Sequence, residues 1–178
     1  MNRHPDIELL GSETAFEGQI FDVLVESLRL PSGLRQDVAI VEHGGAVCVA
    51  PRLENGKLLV VRQYRHSAGD WLLELPAGRL ESGEEPLAAV RRELEEETGH
   101  RAAEWRLLHE FLPAPGFCSE RIWLFLADGL SAVPGGGLDA DEDEEIELVE
   151  LTPAELLDGR CRDAQTLLAA ALLAGGLV

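Results

Sequence analysis

The chain predicts an α+β fold, a mixed sheet with a helix packed on it, and three observations carry that reading. Apolar and polar residues alternate in short runs through residues 17–65, the pattern of half-buried strands. A helical period takes over after Gly83 and stops at Gly99. Strand-like runs then return, followed by two helical segments. This order differs from the regular βαβ alternation of a doubly wound sheet.

Taken in order, Phe21, Val23 and Val25 alternate as a strand does, Pro31-Ser32-Gly33 is a turn, and 34–41 is the return strand. Gly44-Gly45 breaks the chain. Residues 46–50 form a short apolar strand, Glu54-Asn55-Gly56 a turn, and 58–61 and 72–75 two further strands. Leu87, Val90 and Leu94 fall at helical spacing and define a core-facing stripe. Ser82 with Glu85 offers a capping box for this helix, and Pro86 suits its first turn equally well. Residues 105–112, 121–127 and 146–151 read as strands. Thr152-Pro153-Ala154-Glu155 is a capping box with proline at the first helical position, and a last helix follows Asp163.

The chain has 178 residues, 46% of them hydrophobic, which suits one compact domain, or one with a small appendage, and allows a proper core. Its 33 Asp+Glu against 15 Lys+Arg give a formal charge of −18. That balance argues against a nucleic-acid partner bound through a basic face and against docking on anionic lipid. No stretch has the length of a membrane span, and no secretory signal follows Met1-Asn2-Arg3-His4. Cys48, Cys118 and Cys161 are odd in number and widely spaced, so buried thiols in a reducing cytoplasm are expected. Cys118, in a loop-like Pro-Gly-Phe-Cys-Ser stretch, is expected to be accessible. The five histidines make no helical pair of metal-ligand type.

The acid is concentrated. Residues 81–97 hold seven Asp/Glu and two Arg, and residues 139–147 hold seven Asp/Glu and no base. On a helical wheel Glu93, Glu96 and Glu97 share about 100° of arc beside the apolar stripe. Carboxylates at these spacings repel one another on an ordinary surface. A hard divalent cation reverses that interaction, and oxygen donors with no soft ligand suit Mg²⁺ or Mn²⁺. Spacing alone also allows a solvated acidic face, since glutamate is a good helix former.

The whole string decides between these. Gly78, five residues, Glu84, seven residues, then Arg92-Glu93-Leu94-Glu95-Glu96-Glu97-Thr98-Gly99 resembles the Nudix box of the Nudix hydrolases. His100 departs from the apolar residue usual after the last glycine. The likeness extends over most of the chain. Glu17-Gly18-Gln19-Ile20-Phe21, Val41-Glu42-His43-Gly44-Gly45-Ala46-Val47, Val61-Arg62-Gln63-Tyr64-Arg65, Glu74-Leu75-Pro76-Ala77-Gly78 and Asp141-Glu142-Asp143-Glu144 look like the ADP-ribose pyrophosphatase branch. So does Pro115 in Pro115-Gly116-Phe117-Cys118-Ser119-Glu120. Gln19 stands where a basic residue is common, and Gly44 where proline is common.

The resemblance implies a Nudix fold, with a mixed β-sheet sandwiched between helices. Residues 1–43 would be an N-terminal antiparallel region used in dimerisation and substrate contact, and 44–178 the catalytic domain. It implies Mg²⁺-dependent hydrolysis of ADP-ribose to AMP and ribose 5-phosphate by a cytoplasmic homodimer. Carried over by position, Glu93, Glu97, Glu96 and the carbonyl oxygen of Ala77 are metal ligands. Arg92 holds the glutamates and Glu84 supports the helix start. Arg65 and Arg62 meet the diphosphate, and Glu120 touches substrate or metal-bound water. Phe16, Phe21 and Arg35 are candidates for the adenine end, with core packing the stronger expectation for Phe21. The base is placed on the second acidic run, at Glu144 or next at Glu142, and Gly135-Gly136-Gly137 would let that loop close. The alternatives are preference for another nucleoside diphosphate sugar or a dinucleotide, a module that binds ADP-ribose without cleaving it, and a structural acidic protein. The complete set of box glutamates speaks against the binding module, and the structural protein predicts no catalytic effect of Glu93→Gln beyond altered stability.

Overall fold

The computed structural model describes residues 4–134 and 146–176. It resolves into two compact units, Met1–Gly45 with Phe111–Arg121, and Ala46–Glu110 with Ile122–Val178.

The first unit is an antiparallel meander of β1 (Glu8–Phe16), β2 (Asp22–Arg29) and β3 (Arg35–Glu42). Its second hairpin turns at Pro31-Ser32-Gly33, where Gly33 has φ +85°, a left-handed conformation that suits glycine. Strand β1 escapes the sequence pattern for a physical reason. Register shifts at Leu9/Gly11 and Thr14/Phe16 break its period of two, and all nine of its residues are exposed. Near the end of β3, Val41 bridges to Cys118 in parallel, with Val41 N–H donating to Phe117 O at 2.7 Å and Ser119 N–H to Val41 O at 2.9 Å. This pairing ties the 111–121 segment to the meander. Cys118 is half-buried rather than open.

The second unit contains two sheets. One is mixed, in the order β7 (Ala77–Arg79), β4 (Ala46–Pro51), β9 (Ile122–Ala132), β8 (His100–Phe111), with β4 parallel to β9 and antiparallel to β7. The other is antiparallel, in the order β10 (Ile146–Leu151), β5 (Leu58–Arg65), β6 (Asp70–Glu74). Helix α1 (Pro86–Thr98) packs on β4 and β7, and helix α3 (Ala164–Ala174) on β4 and β6, so the central strand has a helix on each side. Val47, Val49, Ala89, Val90, Leu94, Phe125 and Ala127 form the core beneath α1.

Three local expectations change. The α1 wheel is rotated from the predicted one: Leu87 is 39% exposed, while Ala89, Glu93 and Glu97 join Val90 and Leu94 in the buried arc. The Ser82–Glu85 capping box does not form. Glu85 is the N-cap, without a side-chain bond, and Pro86 opens the helix. The Thr152 box does form, with Glu155 N–H on Thr152 Oγ1 at 3.2 Å and Thr152 N–H on Glu155 Oε2 at 2.8 Å. It caps only a single turn, α2 (Pro153–Glu155), because the chain unwinds through a wide turn with Gly159 at φ +99°.

Asp163 caps α3, accepting Thr166 N–H at 2.9 Å. Burial pushes its carboxyl above the ordinary value, against the Thr166 hydrogen bonds that favour the charged form. A carboxyl that ionises less readily when folded contributes stability that is full below its unfolded pKa and is lost as pH rises through the folded one. Asp163→Asn keeps the acceptor oxygen but cannot ionise. Urea unfolding of this variant is expected to show a stability relative to wild type that improves as pH rises from about 4. A constant difference would refute the buried charge. Asp163→Ala loses the cap, at a cost of about 1 kcal/mol.

Candidate active site

Strand β7 and helix α1 bring the predicted glutamates against the backbone of two small residues. A Cβ on Gly78 would lie 2.0 Å from the Glu93 carboxylate, so only glycine leaves space for that group here. Ala77 N–H donates to Glu97 Oε2 at 3.3 Å. Glu93 and Glu97 are 9% and 8% exposed, far from the solvated face that spacing alone allowed. Burial pushes the Glu93 carboxyl above its ordinary value. Arg92 pulls it back, and Glu96 and Glu84 push it up further.

Arg92 binds the group together. Its Nη1 donates to Glu93 Oε1 at 2.8 Å and Glu96 Oε2 at 2.9 Å. Its Nη2 reaches Glu84 Oε2 at 3.1 Å and the Arg79 carbonyl at 3.2 Å, and its Nε reaches Glu84 Oε1 at 3.3 Å. The bonds to Glu84 are the main reason the guanidinium is held still more firmly protonated than usual. In return Glu84 is held below the usual carboxylate range, first by Arg92 and then by Glu81 N–H.

The donors fit a hard divalent cation. They are carboxylate oxygens, they outnumber the one arginine among them, and Gly78 leaves a cradle that the Glu93 carboxylate fills. Among the described residues no three carboxylate, imidazole or thiolate groups gather closely enough to hold an ion by themselves. A cation at Glu93, Glu96 and Glu97 would therefore draw on the Ala77 carbonyl and water as well.

The remaining predicted residues are distributed more widely. Arg65 forms a forked pair with Glu74, with Nη2–Oε2 at 2.6 Å and Nε at 3.0 and 3.1 Å from the two oxygens. Glu74 is only 4% exposed. Its partnering role was missed in the sequence, although an acid inside the apolar run Trp71-Leu72-Leu73-Glu74-Leu75 is a signal in itself. Arg62, three residues from Arg65, points to the opposite face of β5. There it bonds Glu147 at 3.0 Å and lies 4.6 Å over the Trp71 ring. The two arginines are thus not brought together.

Arg35, Phe16 and Glu120 belong to the first unit. Glu120 Oε1 lies 3.7 Å from His43 Nδ1, and His43 N–H donates to Ser119 Oγ at 2.9 Å. A cavity of about 400 Å³ there is lined by residues 18–22 and 42–44, with neither Phe16 nor Arg35 among them. Phe16 is 56% exposed. Phe21, expected in a core, is 41% exposed and forms part of the cavity. Glu142 and Glu144 lie outside the described residues.

A NUDIX domain model matches residues 42–170. The chain belongs to the Nudix family. It is 39% identical to the ADP-ribose pyrophosphatase of Bacillus subtilis over 83% of this chain and 80% of that one. It is 42% identical to the ADP-ribose pyrophosphatase of Mycobacterium tuberculosis over 72% of this chain and 62% of that one. A methanol dehydrogenase activator of Bacillus methanolicus is 39% identical over 89% and 87%. Among solved structures, that of an ADP compounds hydrolase superposes with a TM-score of 0.83 over 99% of this chain and 97% of that chain. At 24% identity, this likeness establishes the fold. No described helix is long and apolar enough to cross a membrane.

In this Nudix chain the Gly78 cradle gives a direct check. The atoms a new Cβ would meet are the far end of the Glu93 side chain, which can swing away. Gly78→Ala is therefore expected to fold, with a melting temperature close to wild type, while catalysis falls by orders of magnitude as Glu93 is displaced. An active alanine variant would show that the Glu93 position does not matter.

Proposed function

We propose that this Nudix protein hydrolyses ADP-ribose to AMP and ribose 5-phosphate with Mg²⁺, and accepts Mn²⁺. The observation that carries the reading is the buried pair Glu93 and Glu97, seated on Gly78 and Ala77 and aligned by Arg92. The two ADP-ribose pyrophosphatases among its relatives direct that site to ADP-ribose.

Glu93, Glu97, Glu96 and the Ala77 carbonyl would hold the cation. When bound, it screens the diphosphate, acidifies the attacking water and stabilises the departing phosphate. Arg92 keeps the carboxylates in place while they are close to one another. Arg65, oriented by Glu74, supplies positive charge to the diphosphate. Glu144, with Glu142 the next choice, takes the proton as water oxygen bonds to one phosphorus and the bridging P–O bond breaks. Residues 1–43 pair with a second copy of the chain, and Phe16, Arg35 and Glu120 contact substrate. The first unit supports this with Leu9, Leu10, Phe16, Ile20, Phe21 and Val25 all exposed.

The direct test is a panel of nucleoside diphosphate derivatives incubated with Mg²⁺, with products identified. ADP-ribose should be the preferred substrate, and oxygen-18 water locates the phosphorus attacked. Glu97→Gln should stay folded and lose turnover by orders of magnitude; near-normal turnover would reject the metal assignment. Glu144→Gln should lower kcat by about 10²–10⁴-fold with little change in substrate affinity. If Glu142→Gln is the crippled variant, the base is two residues away. Sedimentation at micromolar concentration should show a dimer, and a monomer would count against the shared site.

A further inference from the structure

The corner joining β6 to β7 is held at three successive residues by three different elements. Leu75 N–H donates to Thr166 Oγ1 of α3 at 2.8 Å. The Pro76 carbonyl accepts from Val49 N–H of β4 at 2.9 Å. Ala77 N–H donates to Glu97 Oε2 of α1 at 3.3 Å. Leu75 and Pro76 are buried, and Gly78, with the Glu93 carboxylate against it, comes next.

Thr166 is 0% exposed, and its hydroxyl has a single hydrogen. Because Leu75 N–H occupies it as an acceptor, that hydrogen is directed to Asp163 Oδ2, 2.7 Å away. The same carboxylate oxygen already accepts Thr166 N–H, which satisfies the cap of α3. Capping therefore needs no hydroxyl at 166. A valine would match the shape of the site, so the hydroxyl serves the bond to Leu75. Proline at 76 has a nearly fixed φ and no N–H. The Leu75 amide is thus the last backbone donor that can be gripped before Ala77, and a shift there passes on through one stiff residue.

We propose that Thr166, aimed by Asp163, is a positioning residue for the cation site, fixing the Leu75-Pro76-Ala77 corner on which Glu97 and Glu93 rest. This rests on the reading of Glu93, Glu97 and Ala77 as ligands of a divalent cation. The outer partners of metal ligands typically change affinity or activity by about 10–100-fold when removed.

The test compares wild type, Thr166→Val, Thr166→Ser and Asp163→Ala below the lowest melting midpoint of the set. Mn²⁺ binding is measured by electron paramagnetic resonance without substrate, and kcat and KM with ADP-ribose at saturating Mg²⁺. Thr166→Val should bind Mn²⁺ about tenfold more weakly and turn over about tenfold more slowly. Its KM should be little changed, and Thr166→Ser should restore both properties. Wild-type Mn²⁺ affinity in folded Thr166→Val overturns the proposal. So does a serine variant as impaired as the valine one, which would place the effect in methyl packing. Should Thr166→Val not fold, Asp163→Ala carries the test, because its hydroxyl is no longer aimed: weakened Mn²⁺ binding supports the proposal, and wild-type binding overturns it. A wild type that binds no Mn²⁺ removes the cation reading and this proposal together. Failure to cleave ADP-ribose, with Mn²⁺ still bound, touches the substrate alone.

Discussion

Arg92 reconciles a set of like charges that would otherwise force α1 apart from β7. Glu93 and Glu96 lie on one side of the helix, at spacings where carboxylates repel, and Glu93 is buried. The guanidinium divides its donors among those two, Glu84 ahead of the helix, and the Arg79 carbonyl on β7. It therefore also ties down the segment that enters the helix. Glu85 offers no side-chain bond to the first turn, and the segment entering the helix is fixed through Glu84 instead. A lysine would supply the charge without the planar fork that spans these acceptors.

The acidity of the chain separates into groups with different physical roles. Glu95, on the same helix, pairs with exposed Arg101 in an ordinary surface contact of small energetic weight. Glu74 is buried against Arg65. Glu93 and Glu97 are turned inward onto backbone. A surface this negative disfavours a bare diphosphate and suits an anion that arrives with its counter-cation. That distinction separates exclusion of nucleic acid, which needs a basic face, from acceptance of a small nucleotide.

Strong local patterns made much of the second unit readable from sequence. The Gly99 stop, the Thr152 box and the helix after Asp163 all follow from cap chemistry that acts within a few residues. The glutamates proposed to hold the cation were legible through the box string, whereas the burial of Glu93 and Glu97 was not. A wheel centred on Leu87 assumes that apolar residues mark the inside, and here Gly78 opens space for a carboxylate instead. Strand β1 was lost to its two register shifts. The Arg65–Glu74 and Thr166–Leu75 bonds join residues nine and 91 positions apart, so each depends on topology that no local pattern encodes.

The places where local rules fail converge on one short stretch of chain. A glycine interrupts a strand, a helix starts without a side-chain cap, a glutamate is buried beside another acid, and a helix contributes a hydroxyl its own cap does not require. Each would weaken an isolated element. Together they are mutually satisfied: Gly78 admits Glu93, Arg92 offsets its charge, Glu97 accepts from Ala77, and Thr166 accepts from Leu75. Buried polar groups linked in this way cost most when one partner is removed alone, since the other then remains desolvated and unpaired. That asymmetry makes the corner stiff, and a stiff corner is what keeps carboxylates at fixed positions while charge changes around them.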